Sequence, residues 1–79
     1  MIIVNAKSFE KKLAKIKDTS TRIHISKQIK KIIENPGIGK PMRYARKGTR
    51  EVYISPFRLS YCYESDILTF LDIYHKDEQ

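Results

Sequence analysis

The segment Asn35-Pro36-Gly37-Ile38-Gly39 divides this chain into halves that cannot share one kind of secondary structure. Proline has no N–H to give a helix interior, and glycine takes the backbone angles that end a helix. Before the break, apolar residues recur at helical spacing. After it they alternate. Helices followed by a run of strands make an α+β protein, with the apolar helix faces laid on one face of the sheet.

Ile2-Ile3-Val4 is a short β-branched run and predicts a first strand. Ser8 is placed to cap a helix from Phe9 to about Lys17, in which Phe9, Leu13 and Ile16 line one face. Asp18-Thr19-Ser20-Thr21 offers several capping side chains for a second helix reaching about Glu34, with Ile25, Ile29, Ile32 and Ile33 on its apolar stripe. So short a connection makes the two helices antiparallel neighbours. Beyond the break, Met42 and Tyr44 alternate with Arg43 and Ala45, and Lys47-Gly48 marks a turn. Val52 and Ile54 alternate with Glu51 and Tyr53, and Ser55-Pro56 reverses the chain. Phe57, Leu59, Tyr61 and Tyr63 alternate with Arg58, Ser60 and Cys62. After Glu64-Ser65-Asp66, the run Ile67 to Tyr74 is nearly continuous in apolar residues and predicts a central strand buried on both faces. The face away from the helices then carries Arg43, Glu51, Tyr53, Arg58, Ser60 and Cys62.

Composition narrows the partners. The 79 residues make one domain, 1–79, with sixteen Lys and Arg against nine Asp and Glu, a formal +7. A chain this short buries only about 60–65% of its unfolded surface, so a stable binding partner is a natural supplement to its core. The charge points to a polyanion: nucleic acid, an anionic membrane or an acidic protein. The membrane reading is weak, because no apolar run approaches the roughly 18–20 residues a spanning helix needs. No signal peptide is visible, and the lone Cys62 fits a reducing cytoplasm rather than a disulfide framework. His24 and His75 lie far apart without nearby Cys, so neither a metal nor another cofactor is expected.

Gly39-Lys40-Pro41-Met42-Arg43, Gly48 with Arg50-Glu51-Val52-Tyr53-Ile54, Phe57-Arg58-Leu59-Ser60-Tyr61 and Ile73-Tyr74-His75-Lys76, taken in this order, resemble the RelE/ParE toxin superfamily. The short strand, lysine-rich helix and longer helix ending in Asn-Pro-Gly are similar as well. The resemblance implies an N-terminal strand and an antiparallel helical hairpin packed on one face of a curved, mostly antiparallel sheet of four to five strands, with a basic cleft on the other face. It also implies a function. RelE-like members enter the ribosomal A site and cleave messenger RNA, ParE-like members poison DNA gyrase, and a small antitoxin holds both inactive. Arg58 corresponds to the family's strand arginine, Arg43 matches a basic position, and His75 falls where one branch has a histidine. The chain departs from the RelE type, which has lysines in place of Glu51 and Tyr53 and a C-terminal tyrosine that would lie beyond Gln79. It departs from the histidine branch too, which has a glutamate near Lys40.

RNA carries its own nucleophile, the 2′-hydroxyl, so cleavage needs in-line geometry, charge stabilisation of the phosphate and two proton transfers. Arg58 offers a planar fork that fits two phosphate oxygens; the plainer alternative is a solvated residue or an ion pair with Glu51. Imidazole is the side chain suited to proton transfer near neutral pH, so His75 could serve either oxygen, unless it is merely an exposed terminal residue. Arg43 would reach the scissile phosphate. Glu51 is either the general base or a counter-charge to Arg58. Lys40, Arg46, Lys47 and Arg50, interleaved with Tyr44, and beyond them Lys76, form the expected RNA-contacting set. Tyr53 is there to stack on a base or to cover the sheet. Lys11, Lys12 and Lys15 either grip ribosomal RNA or form a solvated helix face. The expected activity is a ribosome-dependent, metal-free endoribonuclease whose partners are an antitoxin, the ribosome and messenger RNA. Its competitors are a gyrase poison and a binding-only remnant.

Overall fold

The computed structural model describes residues 1–78. The elements are β1 (Ile2–Asn5), α1 (Lys7–Lys15), α2 (Thr19–Glu34), β2 (Lys40–Pro41), β3 (Thr49–Ile54), β4 (Phe57–Glu64), β5 (Ile67–His75) and a 3-10 turn at Lys76–Glu78. They form a five-stranded sheet in the order β1-β5-β4-β3-β2. Only the β1–β5 pair is parallel.

Both helix ends at the α1–α2 junction are explained by side chains. α1 starts at Lys7 after Ala6, with no side-chain cap. Ser8, expected to cap it, lies inside the helix and donates from Oγ to the Asp72 carboxylate at 3.1 Å. The helix stops at Lys15, earlier than expected, because Arg22 reaches back from α2 and donates to the carbonyls of Leu13 (3.0 Å) and Ile16 (2.7 Å). Asp18 caps α2 by accepting from the Thr21 N–H (2.9 Å) and hydroxyl (2.7 Å), which holds its carboxyl below the ordinary aspartate pKa.

The core lies between the helices and one sheet face. Phe9, Ile25 and Ile32 meet Ile54, Leu59, Tyr61, Leu68, Phe70 and Ile73, all essentially buried. The Phe9 and Phe70 rings stack at 5.4 Å. Tyr61 reaches from this core to the break between the two halves. Its hydroxyl donates to the Pro36 carbonyl at 2.7 Å and accepts the Gly39 N–H at 2.9 Å. A Cβ at Gly39 would lie 2.5 Å from that hydroxyl, so glycine is required there by close approach. Burial pushes the Tyr61 phenol above 10.0. The unfolded chain ionises first, so stability is unaffected below about pH 10 and falls as pH rises toward the folded-state value. Denaturant melts between pH 9 and 11 should show this decline, and Tyr61→Phe should make its slope shallower.

Two expectations fail in the second half. Met42–Ala45 is not a strand. β2 is only Lys40–Pro41, and residues 42–48 form a loop in which Tyr44 is left-handed (φ 59). Pro41 has no N–H with which to continue the ladder. Nor is β5 buried on both faces. Leu68, Phe70 and Ile73 are buried on the helix side, while its other positions are half-exposed or exposed. β5 also contains a bulge: Tyr61 pairs with Phe70 but Ser60 with Asp72, which leaves Leu71 as an extra residue. Core-facing positions therefore switch from Leu68 and Phe70 before the bulge to Ile73 after it.

Candidate active site

β3 and β4 each place alternate side chains on the face away from the helices. Tyr53 pairs with Arg58 across β3–β4, and Arg58 pairs with Tyr74 across β4–β5. Directly paired residues share a face, so the three form a row. Glu51 sits one step along it. Arg58 Nη1 donates to Glu51 Oε1 at 2.7 Å, and the Tyr74 hydroxyl donates to Glu51 Oε2 at 3.0 Å. The guanidinium carbon lies 5.8 Å from the Tyr53 ring centre, within cation–π range. Each member thus fixes the next. Glu51 is held from both sides and its side chain is 16% exposed, while that of Arg58 remains 33% exposed. Arg58 Nε is buried with no hydrogen-bond partner in the protein. A buried donor without an acceptor costs about 1–3 kcal/mol. The ion pair with Glu51 is the plainer alternative that the sequence left open for Arg58 beside phosphate contact.

His75 is not part of this cluster. It pairs with Phe57, on the helix side of the sheet, and the two rings meet edge to face at 5.8 Å. Its Nδ1 accepts the Asp77 N–H at 3.3 Å. The imidazole lines a cavity of about 490 Å³ between the end of α1, the start of α2 and the β3–β4 turn, together with Lys12, Lys15, Ile16 and Phe57. The expected convergence of His75 with Arg58 is therefore corrected. The bulge at Leu71 inverts the alternation, turning His75 toward the helices and Tyr74 toward Arg58. Tyr74 is the residue that sequence reasoning missed, because alternation counted without the extra residue puts it on the wrong face.

The remaining candidates divide. Lys40 pairs in register with Glu51 and so shares its face. Arg50 does not. It pairs with the core residue Tyr61, and its Nη1 donates to the carbonyls of Gly39 (2.7 Å) and Gly37 (3.3 Å). That guanidinium ties down the helix-to-sheet connection, apart from the Arg58 row. Arg43 lies in the 42–48 loop rather than on a strand beside Arg58, which corrects its expected place on that sheet face. Arg46, in the same loop, approaches the Glu64 carboxylate at 3.8 Å. Lys47 is exposed, as is Lys76, which follows β5 directly. Lys12, offered as a surface cation, is paired with Asp72 at 3.1 Å. Cys62 is buried, its thiol 3.6 Å from the Lys47 carbonyl. Among the described residues, no three of His, Cys, Asp and Glu are grouped to hold a metal ion.

Solved structures share this architecture. A chain of the E. coli RelBE toxin–antitoxin complex superposes with a TM-score of 0.82 at 18% identity, covering 99% of this chain and 98% of that one. One from the RelB–RelE antitoxin–toxin complex of Methanococcus jannaschii gives 0.76 at 16% identity, covering 94% and 91%. YafQ from E. coli strain BL21(DE3) gives 0.65 at 22% identity, covering 95% and 92%. No curated protein sequence matches. The fold is that of the RelE/ParE-like toxins. The chain belongs to the family described as the ParE toxin of type II toxin–antitoxin systems, whose model matches residues 3–79.

Proposed function

We propose that this toxin is a ribosome-dependent endoribonuclease that acts on messenger RNA in the cytoplasm. The observation that carries this reading is the Arg58 guanidinium, held at 2.7 Å by Glu51 beside the Tyr53 ring and still 33% exposed on the sheet face. The exposed edge of that planar fork suits two phosphate oxygens. In this reading Arg58 grips the scissile phosphate and stabilises its developing charge. Glu51 takes the proton of the 2′-hydroxyl, and Tyr74 keeps Glu51 in place when Arg58 turns to the substrate. The 2′-oxygen attacks phosphorus, the bond to the 5′-oxygen breaks, and water supplies the proton to the departing oxygen. The products are a 2′,3′-cyclic phosphate and a 5′-hydroxyl. Lys40, on the same face, adds positive charge. The cognate antitoxin, read as acidic, neutralises this surface.

Purified toxin in a translating extract, with message ends mapped, tests the reading. Intact message in the presence of folded toxin would end it. His75→Ala should leave cleavage within a few-fold of wild type. Glu51→Gln should cost about 100-fold or more, the usual worth of a general base.

The position of His75 favours a second reading, the gyrase poison. The face that carries Arg58 lacks the imidazole proton donor expected of the nuclease, and a poison needs a binding surface without one. Trapped cleavage complexes in a supercoiling assay, with message left intact, would select it. Growth arrest on induction, relieved by the neighbouring reading frame, would exclude a binding-only remnant.

A further inference from the structure

The loop between β2 and β3 is built as a rigid stem with an exposed tip. Its stem is tied by Met42 N–H to the Thr49 carbonyl, Thr49 N–H to the Arg46 carbonyl, and Tyr63 N–H to the Gly48 carbonyl, each at 3.0 Å. Gly48 has φ 88, and a Cβ there would meet the Tyr63 carbonyl oxygen at 2.7 Å, so the stem also depends on a glycine. At the tip stands Tyr44, 101% exposed and with φ 59. This backbone conformation disfavours side chains and is ordinarily taken by Gly or Asn. Tyr44 fills no core and is a poor choice for the turn. The fold gives no reason for an aromatic ring at this point.

The surroundings supply one. Arg43, Arg46 and Lys47 flank the ring, and residues 40–50 contain no acid. Arg46 lines a cavity with Cys62, Glu64, Ile67 and Thr69. By register Cys62, Glu64, Ile67 and Thr69 lie on the same sheet face as Arg58. The root of the loop thus stands at the far end of that face, four residues along β4 from Arg58, or about 14 Å at strand spacing. Arg46 approaches Glu64 at 3.8 Å but remains 78% exposed. An aromatic ring on a cationic loop, at the end of the face that carries Arg58 and Lys40, is an arrangement that holds single-stranded nucleic acid: phosphates on the charges, a base on the ring.

We propose that Tyr44 is a stacking platform for an unpaired base of single-stranded RNA, with Arg43, Arg46 and Lys47 carrying the adjoining phosphates. This rests on the reading that the Arg58 face binds RNA, and it assigns the far end of the same site.

The chain has no tryptophan, so Tyr44→Trp places a single indole at the tip. Short oligouridylate and oligoadenylate serve as probes, with duplex DNA of equal length as control. The expected result is saturable quenching of the indole by the single strands, at an affinity close to wild type. Tyr44→Phe should bind like wild type, since the ring and not the hydroxyl is used. Tyr44→Ala should bind about 10-fold more weakly, with an unchanged salt dependence because the phosphate contacts remain. Melting temperatures should be unaltered in all three variants, and Tyr44→Gly should melt no lower than wild type. Indole emission that does not move at saturating RNA, a response to duplex DNA alone, wild-type affinity in Tyr44→Ala, or no RNA binding by the wild type would each overturn the proposal. A toxin that cuts no message yet shows the quenching and the Tyr44→Ala loss would end the nuclease reading and keep this one. Message cleavage at wild-type rate and unchanged RNA affinity in Tyr44→Ala would end this one alone.

Discussion

Arg58→Ala is expected to lower message cleavage by about 100- to 1000-fold, the usual cost of removing one preorganised donor from a charged transition state. The guanidinium is positioned before substrate arrives, by the Glu51 carboxylate at 2.7 Å and the Tyr53 ring at 5.8 Å. A phosphate has to displace Glu51 from Nη1, while the Tyr53 ring still flanks the guanidinium. The fold should survive the change. Arg58 faces away from the core, Glu51 keeps its bond from Tyr74, and the orphaned Nε disappears with the side chain. Arg58→Lys should restore only part of the rate, because an ammonium offers a point charge and not a planar fork. Single-turnover cleavage on programmed ribosomes is the measurement, with near-ultraviolet circular dichroism to verify folding. An Arg58→Ala protein that cuts at wild-type rate would remove the basis of the proposed mechanism.

Phe70→Ala should have the largest effect on stability, about 3–5 kcal/mol. Phe70 is 2% exposed, stacks on Phe9 at 5.4 Å and meets Tyr61 at 6.4 Å, so it joins α1, β4 and β5. The total stability of 79 residues is on the order of 4–12 kcal/mol at typical per-residue values. The loss is therefore a large fraction of the whole, and the variant should be partly unfolded at physiological temperature without its antitoxin. In denaturant the midpoint should fall while the slope stays constant. Phe70→Leu, which keeps more of the volume, should lose much less. A Phe70→Ala midpoint equal to wild type would mean that this core is not the one holding the sheet. Phe70 also precedes the Leu71 bulge, so its loss should blur the placement of Tyr74 and lower activity at temperatures where the variant remains folded.

Most of the helical half was legible because helical periodicity reports directly on burial. Phe9, Leu13, Ile16, Ile25, Ile29, Ile32 and Ile33 all lie in the core or pack against it. Alternation served as well for β3 and β4, placing Ile54, Leu59 and Tyr61 inside and Glu51, Tyr53 and Arg58 together outside. Some residues are placed differently because their polar groups have two uses. Ser8 could cap a helix or bond Asp72, and Arg50 could meet a phosphate or the carbonyls of Gly37 and Gly39. A one-dimensional pattern contains neither partner. Met42–Ala45 alternates like a strand, but Pro41 leaves it without a neighbour to pair with.

Charge, periodicity and the Asn-Pro-Gly break carried the fold class and the arginine-bearing face, since both follow from which residues prefer water and at what spacing. The identity of the group opposite Arg58 depended on one unpaired residue in β5. A sheet repeats every two residues, so a single insertion exchanges the faces of everything beyond it. Leu71 is chemically suited to either arrangement, and on its two sides β5 pairs with Phe57–Ser60 and Tyr61–Glu64 of β4 in two registers. That is a property of the assembled sheet, and it brings Tyr74 to Glu51 while turning His75 toward the helices.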